Sequence, residues 1–146
     1  MKHKGALTII LILLLAFGSV SKLNAPLVSQ HKEASTISVN LTHLYEEFNE
    51  EDYDGRLPKD LIVYSDNAEG NMGLKDDSCE MGERVCIHIN PIFNNTASTE
   101  AWTLKHEMCH VYIDEVLKKP ELDAHGPLFQ SCMIRIADNG GFQGIW

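Results

Sequence analysis

The stretch Leu104-Lys105-His106-Glu107-Met108-Cys109-His110 decides how this chain is read. Histidines four residues apart leave a helix about 40° apart on one face, so the imidazoles of His106 and His110 can meet on a single zinc ion. Glu107, beside the first, can reach a water at that ion's open position. The flanks favour a helix. Ser98 or Thr99 can cap it, Glu100 suits the positive end of its dipole, Lys118-Lys119 suit the negative end, and Pro120 stops it. Cys109 falls on the far side of His106, which fits packing or a disulfide better than a metal bond.

A hydrolytic zinc site needs a third protein ligand and an open position. The metzincin pattern requires a histidine six residues beyond His110, and that position is Val116. Glu121, Asp123 and His125 remain as candidates. His125 is followed by Gly126-Pro127, a turn that starts another helix. Leu128, Phe129, Cys132, Met133 and Ile136 share one side of that helix, which runs to about Ala137, with Gly140-Gly141 just past its end.

Upstream, Val85, Ile87 and Ile89 alternate with Cys86, His88 and Asn90, a strand ended by Pro91. His88 is expected on the face opposite the apolar row, half-exposed rather than a ligand. Residues 65–78 are rich in turn formers and have little to bury. Leu61-Ile62-Val63-Tyr64 reads as a short buried strand. Before it, Leu41, Leu44, Tyr45 and Phe48 recur at helical spacing until Asp54-Gly55 and Pro58 end the helix. Glu46, Glu47, Glu50 and Glu51 fall largely off that stripe as a solvated acidic face. No internal repeat is visible. The order helix, strand, hairpin, strand, helix, helix predicts an α+β domain, a small antiparallel sheet packed on helices.

Of the 146 residues, twelve are Lys or Arg and twenty-one are Asp or Glu, a formal charge of −9. This is one modest domain with no basic face for phosphates, so nucleic acid is not an expected partner. The first residues differ in kind. Residues 6–17, ALTIILILLLAF, are apolar throughout, follow Lys2 and Lys4, and precede any acid, the first being Glu33. That is a signal-peptide layout, with small residues at Ser19 and Ser21 where a peptidase could cut. The alternative is an uncleaved anchor, although the block falls short of the roughly 18 to 20 apolar residues that span a bilayer. Residues 1–21 are therefore the expected signal (or anchor) and 22–38 a polar linker. Losing two lysines with the leader takes the charge from −9 to −11.

Export into an oxidising compartment makes the four cysteines a disulfide framework with three possible pairings. Cys79 and Cys86 bracket a hairpin-like tip, which favours Cys79–Cys86 and, by elimination, Cys109–Cys132. Asn40-Leu41-Thr42 and Asn94-Asn95-Thr96 fit the glycosylation pattern of a eukaryotic secretory pathway.

Five blocks in order resemble the SprT-like zinc metallopeptidases, which include the Spartan proteases. Leu44 to Asn49 with Gly55-Arg56-Leu57-Pro58 resembles the family's first helix and turn, and Ile87-His88-Ile89-Asn90-Pro91 its strand before the active-site helix. Leu104 to His110 resembles its zinc helix and His125-Gly126-Pro127-Leu128-Phe129 its third-ligand segment. The resemblance covers most of residues 41–135 and implies a zincin-like domain over 39–146. It also implies His106, His110 and His125 as ligands to Zn2+ and Glu107 as general base. Members commonly continue into a cysteine-rich zinc ribbon or DNA-binding tail, whereas this chain ends Gly141-Phe142-Gln143-Gly144-Ile145-Trp146.

The expected activity is zinc-dependent endopeptidase action on proteins or peptides by a secreted or periplasmic monomer, which would be membrane-anchored only if the leader stays. Two other readings are a non-catalytic zinc-binding module and a cell-wall peptide amidase. Asp114 and Asp123 are candidate orienters of the imidazole N–H groups. For an oxyanion partner, His88, Tyr64 and Arg135 are candidates, while Tyr112 turns away from the metal.

Overall fold

Ser38 opens the first helix: its side chain accepts the Leu41 N–H, and α1 then runs Val39–Tyr53. The protein is described by a computed structural model that covers residues 36–79 and 85–143. The expected leader, the linker up to residue 35 and the tip at 80–84 lie outside the described residues. Among the described residues no helix is long and apolar enough to cross a membrane.

α1 ends where the sequence places a turn. Asp54 and Gly55 adopt left-handed backbone, φ 56° and 66°. Asn49 then clamps the outgoing chain, accepting the Leu57 N–H and donating to its carbonyl. Leu41 and Tyr45 are buried, and Glu46, Glu47, Glu50 and Glu51 are exposed as expected. The same helix also buries Asp52, which pairs with the equally buried Lys105.

Four strands form one sheet in the order β1-β2-β4-β3, with β1 Thr36–Ile37, β2 Ile62–Ser65, β3 Gly73–Asp76 and β4 Cys86–Ile89. The expected sheet was antiparallel; this one is mixed. β2 and β4 pair in parallel, Val63 against Ile87 and Ser65 against Ile89, while both edge strands pair antiparallel. The reason is β3. Residues 73–76 fall inside the stretch that reads as turns, yet they form an edge strand, so β4 returns between β3 and β2. Thr36 and Ile37, at the end of the expected linker, form the opposite edge.

Burial on both faces of β4 follows from its central place. Cys86, Ile87 and Ile89 are buried, and the His88 side chain is 12% exposed, so it is enclosed rather than half-exposed. The zinc-motif helix α2, Ala97–Val111, packs on β3 and β4 with Leu104, Met108 and Val111 in the core. Its cap is Thr96 rather than Ser98 or Thr99: Thr96 accepts the Thr99 N–H and Thr99 accepts that of Thr96, satisfying two end donors. Beyond Val111 the helix widens into a π-helical segment, Tyr112–Leu117, where the Ile113 carbonyl accepts from both Lys118 and Lys119. α3, Pro127–Asp138, closes the layer through Phe129, Cys132 and Ile136.

Both expected disulfides are present, Cys79–Cys86 and Cys109–Cys132. The second ties α2 to α3 directly behind the histidine helix. Asn94, by contrast, cannot carry a glycan in the fold: it is 1% exposed, and its amide donates to the carbonyls of Met72 and Asn90.

Candidate metal centre

His106 and His110 leave α2 one turn apart and face the loop before α3. That loop delivers His125, whose Nε2 stands 3.1 Å from Nε2 of His106. One ring nitrogen from each of the three histidines lies within 4.8 Å of the others. Two nitrogens on a tetrahedral zinc stand about 3.3 Å apart, so this set fits the ion without rearranging the backbone.

Burial and mutual repulsion disfavour protonation of His106 and His110. Desolvation first, then the neighbouring histidines, lower His106 to a pKa of about 4. His110 is lowered to about 4 by desolvation and by His125, against a smaller opposing effect of Asp114. Neutral imidazole is the ligand form, so lone pairs are available at neutral pH. Phe129 packs on all three rings, with centroids 4.7, 4.6 and 4.6 Å from those of His106, His110 and His125. Trp102, one turn before His106, adds a ring at 5.3 Å.

The loop holding His125 is fixed by a residue that sequence spacing offered as a ligand. Glu121 is not in the histidine set; it accepts the N–H groups of Leu128 and Phe129, at 2.9 and 3.0 Å. It thereby caps α3, whose own N-cap, Gly126, has no side chain to offer. Gly126 is glycine because a Cβ there would lie 2.7 Å from Glu121 Oε1. Asp123, expected to orient an imidazole, accepts the backbone N–H of His125 instead. Asp114 binds Lys75 Nζ at 2.7 Å.

Glu107 lies between the histidines and β3. It is buried, and desolvation raises its carboxyl to a pKa of about 7 despite a hydrogen bond from the Lys75 backbone N–H. β3 approaches this closely only because residue 73 is glycine: a Cβ there would sit 2.6 Å from Thr103 Cγ2 and 2.7 Å from Glu107 Oε1. Thr103 donates to Asn94, and Asn94 to the Met72 carbonyl, which ties the helix to the head of β3. A cleft of about 640 Å³ opens between β3 and the histidine face.

Spacing missed this wall. A glycine seven residues after Asp66 in a turn-rich stretch carries no signal that it will face Glu107. The oxyanion candidates are engaged elsewhere. His88 is held by Asp66 at 2.7 Å, Tyr64 stacks on His88, and Arg135 donates to the Asp52 carbonyl beside the rings of Tyr53 and Tyr112. Tyr112 does turn away, packing on Tyr53. Cys109 is in its disulfide, outside the histidine set.

The model of the SprT-like family matches residues 41–144. The chain belongs to the SprT-like family. That span runs from α1 through α3 and contains the histidine helix, the β3 wall and the His125 loop. No curated protein matches the chain as a relative. A SprT-like domain is of metallopeptidase type and commonly associated with zinc, in keeping with the donor set present.

Proposed function

We propose that this SprT-like protein is an exported zinc-dependent endopeptidase that hydrolyses peptide bonds in proteins or peptides. The observation that carries the reading is the convergence of three imidazoles beside one buried carboxyl, all opening on a single cleft. A purely structural zinc site closes with a fourth protein ligand, and no fourth His, Cys, Asp or Glu joins this set among the described residues.

His106, His110 and His125 would hold the ion. When bound, zinc supplies a Lewis acid that makes a nearby water more acidic and polarises a carbonyl. Glu107 does the proton work. Its carboxylate accepts a proton from the attacking water and delivers it to the leaving amine nitrogen. A carboxyl with a pKa near 7 in the metal-free site is matched to both halves of that transfer. The Lys75 N–H fixes the carboxylate's direction, and the Gly73 backbone leaves it room.

Export rests on the basic and apolar leader at 1–21 and is in keeping with two disulfides. The partner is a protein or peptide substrate, with no nucleic acid and no second subunit required. Glu107→Gln should keep one zinc per chain and lose about 10²- to 10⁴-fold in peptide-bond hydrolysis. Unchanged turnover with full zinc content refutes the assignment, and a wild type that binds zinc but cuts nothing in a broad peptide library favours the non-catalytic module.

A further inference from the structure

A further histidine, His88, lies among metal-binding side chains outside the cleft. His88 Nδ1 stands 2.7 Å from Asp66 Oδ2, so in the neutral ring the proton sits on Nδ1 and the Nε2 lone pair points the other way. Nε2 faces Cys86 Sγ at 3.4 Å and Asp76 Oδ2 at 4.0 Å. Cys86 is bonded to Cys79, whose sulfur lies next to this group but outside it. The donor atoms of Asp76, Cys86 and His88 all lie within 4.8 Å of one another. Sheet register builds this group: Asp76 of β3 pairs with Cys86 of β4, and His88, two residues on, leaves the same face.

The spacing is that of a metal site. Sulfur and imidazole nitrogen bound tetrahedrally to zinc stand about 3.6 Å apart, and Cys86 Sγ and His88 Nε2 already stand at 3.4 Å. The Asp76–His88 gap of 4.0 Å has to close by about 0.6 Å. Once the S–S bond is broken, Cys79 Sγ has to part from Cys86 Sγ to about 3.8 Å and swing in towards His88 and Asp76. A carboxylate on the far nitrogen of a ligating histidine, the place Asp66 takes, is the usual support for such a ligand.

We propose that Cys79, Cys86, His88 and Asp76 form a structural zinc site when the Cys79–Cys86 disulfide is reduced. A dithiol supplies the two electrons: the S–S bond breaks, two cysteine thiols form, and the dithiol closes to its own disulfide. Zinc then displaces both thiol protons and is held by two thiolates, one neutral imidazole and one carboxylate. Disulfide and zinc clip the end of β3 to β4 in the same place. β3 is the edge strand that walls the cleft and directs Glu107, so the clip preserves that wall in either redox state. The competing use of the same atoms is an imidazolium held between Asp66 and Asp76, which binds no metal.

The test compares the full chain oxidised and after reduction with a dithiol. The dithiol is removed without air, Zn2+ or Co2+ is added, and unbound metal is removed. Metal content should rise by one ion per chain on reduction, whatever the cleft histidines hold. With Co2+, a sulfur-to-cobalt charge-transfer band should appear, which three imidazoles cannot produce. Increment and band should vanish in Cys79→Ser/Cys86→Ser, and His88→Gln should weaken the extra ion at least about tenfold. No increment in the reduced wild type overturns the proposal without recourse to any variant. So does a thiolate band that persists in the double serine variant, since only Cys109 and Cys132 could then supply it.

Discussion

Among the described residues, two clusters of side chains could hold a metal, and they differ in what stands behind their histidines. His106, His110 and His125 are backed by Phe129 and Trp102. His88 is backed by Asp66 and stacked on Tyr64. Burial and the neighbouring rings disfavour a proton on His106 and His110, so the first cluster stays open to a metal from the cleft. The second is tied into the sheet by a carboxylate and covered by a disulfide. Sequence spacing distinguishes neither backing; the same residue type serves a site in one place and a strand junction in the other.

Each cluster has its own disulfide, and removing them is the strongest way to separate the two regions. Cys109→Ser/Cys132→Ser opens a link of sequence separation 23 and should cost about 3.5 kcal/mol of stability, more if the buried serines go unpaired. Cys79→Ser/Cys86→Ser opens a link of separation 7 and should cost about 2.5 kcal/mol. Urea midpoints measure both, and a reversed order would show that the edge clip, not the helix clip, holds the domain.

The wall between the clusters comes next. Gly73→Ala puts a methyl into Thr103 and Glu107 and should lower kcat/KM by about 10- to 100-fold, because a small misplacement of the general base is costly. Zinc content should stay at wild-type level; loss of zinc with activity would mean that β3 supports the histidines as well. Glu121→Gln removes charge from the α3 cap and should weaken zinc binding by about tenfold through His125 alone, seen as a higher competitor-limited dissociation constant.

The smallest effect is on pH dependence. In the metal-free protein His106 and His110 have pKa values near 4 in the fold against 6.5 in the unfolded chain. The unfolded chain therefore binds protons first, and the stability present above about pH 6.5 is lost as pH falls towards 4. Glu107, raised from 4.5 to about 7, acts oppositely, favouring the fold most at low pH and losing that contribution as pH rises through 7. Tm against pH from 4.5 to 6.5 should thus be shallower in His106→Phe and steeper in Glu107→Gln than in wild type. Parallel profiles for all three proteins would contradict the buried environment of these groups.

Much of the fold is local and was legible. The α1 stripe at Leu41 and Tyr45, the Asp54-Gly55 stop and Pro127 at the start of α3 each depend on a few neighbouring residues. β3 was not legible, because Gly73-Leu74-Lys75-Asp76 gains its strand only by pairing with β4, and an edge strand with half-buried residues has no alternation to display. The parallel β2–β4 pairing follows from the same omission. Within the site, Glu121 and Asp123 are acids near a histidine in sequence, but their oxygens went to backbone N–H groups left bare at the turn before α3.

The sequence by itself determined that His106, Glu107 and His110 share one helical stretch, because a period of 3.6 residues is a property of the backbone. It also determined that four cysteines could pair off as they do, one pair across a short span and the other across the two helices. Only the tertiary structure decided that His125 reaches His106, that Glu107 is buried against Gly73, and that His88 is enclosed by two aspartates and a disulfide. Those outcomes depend on contacts between segments distant in the chain, where packing and desolvation, rather than spacing, fix which atoms meet.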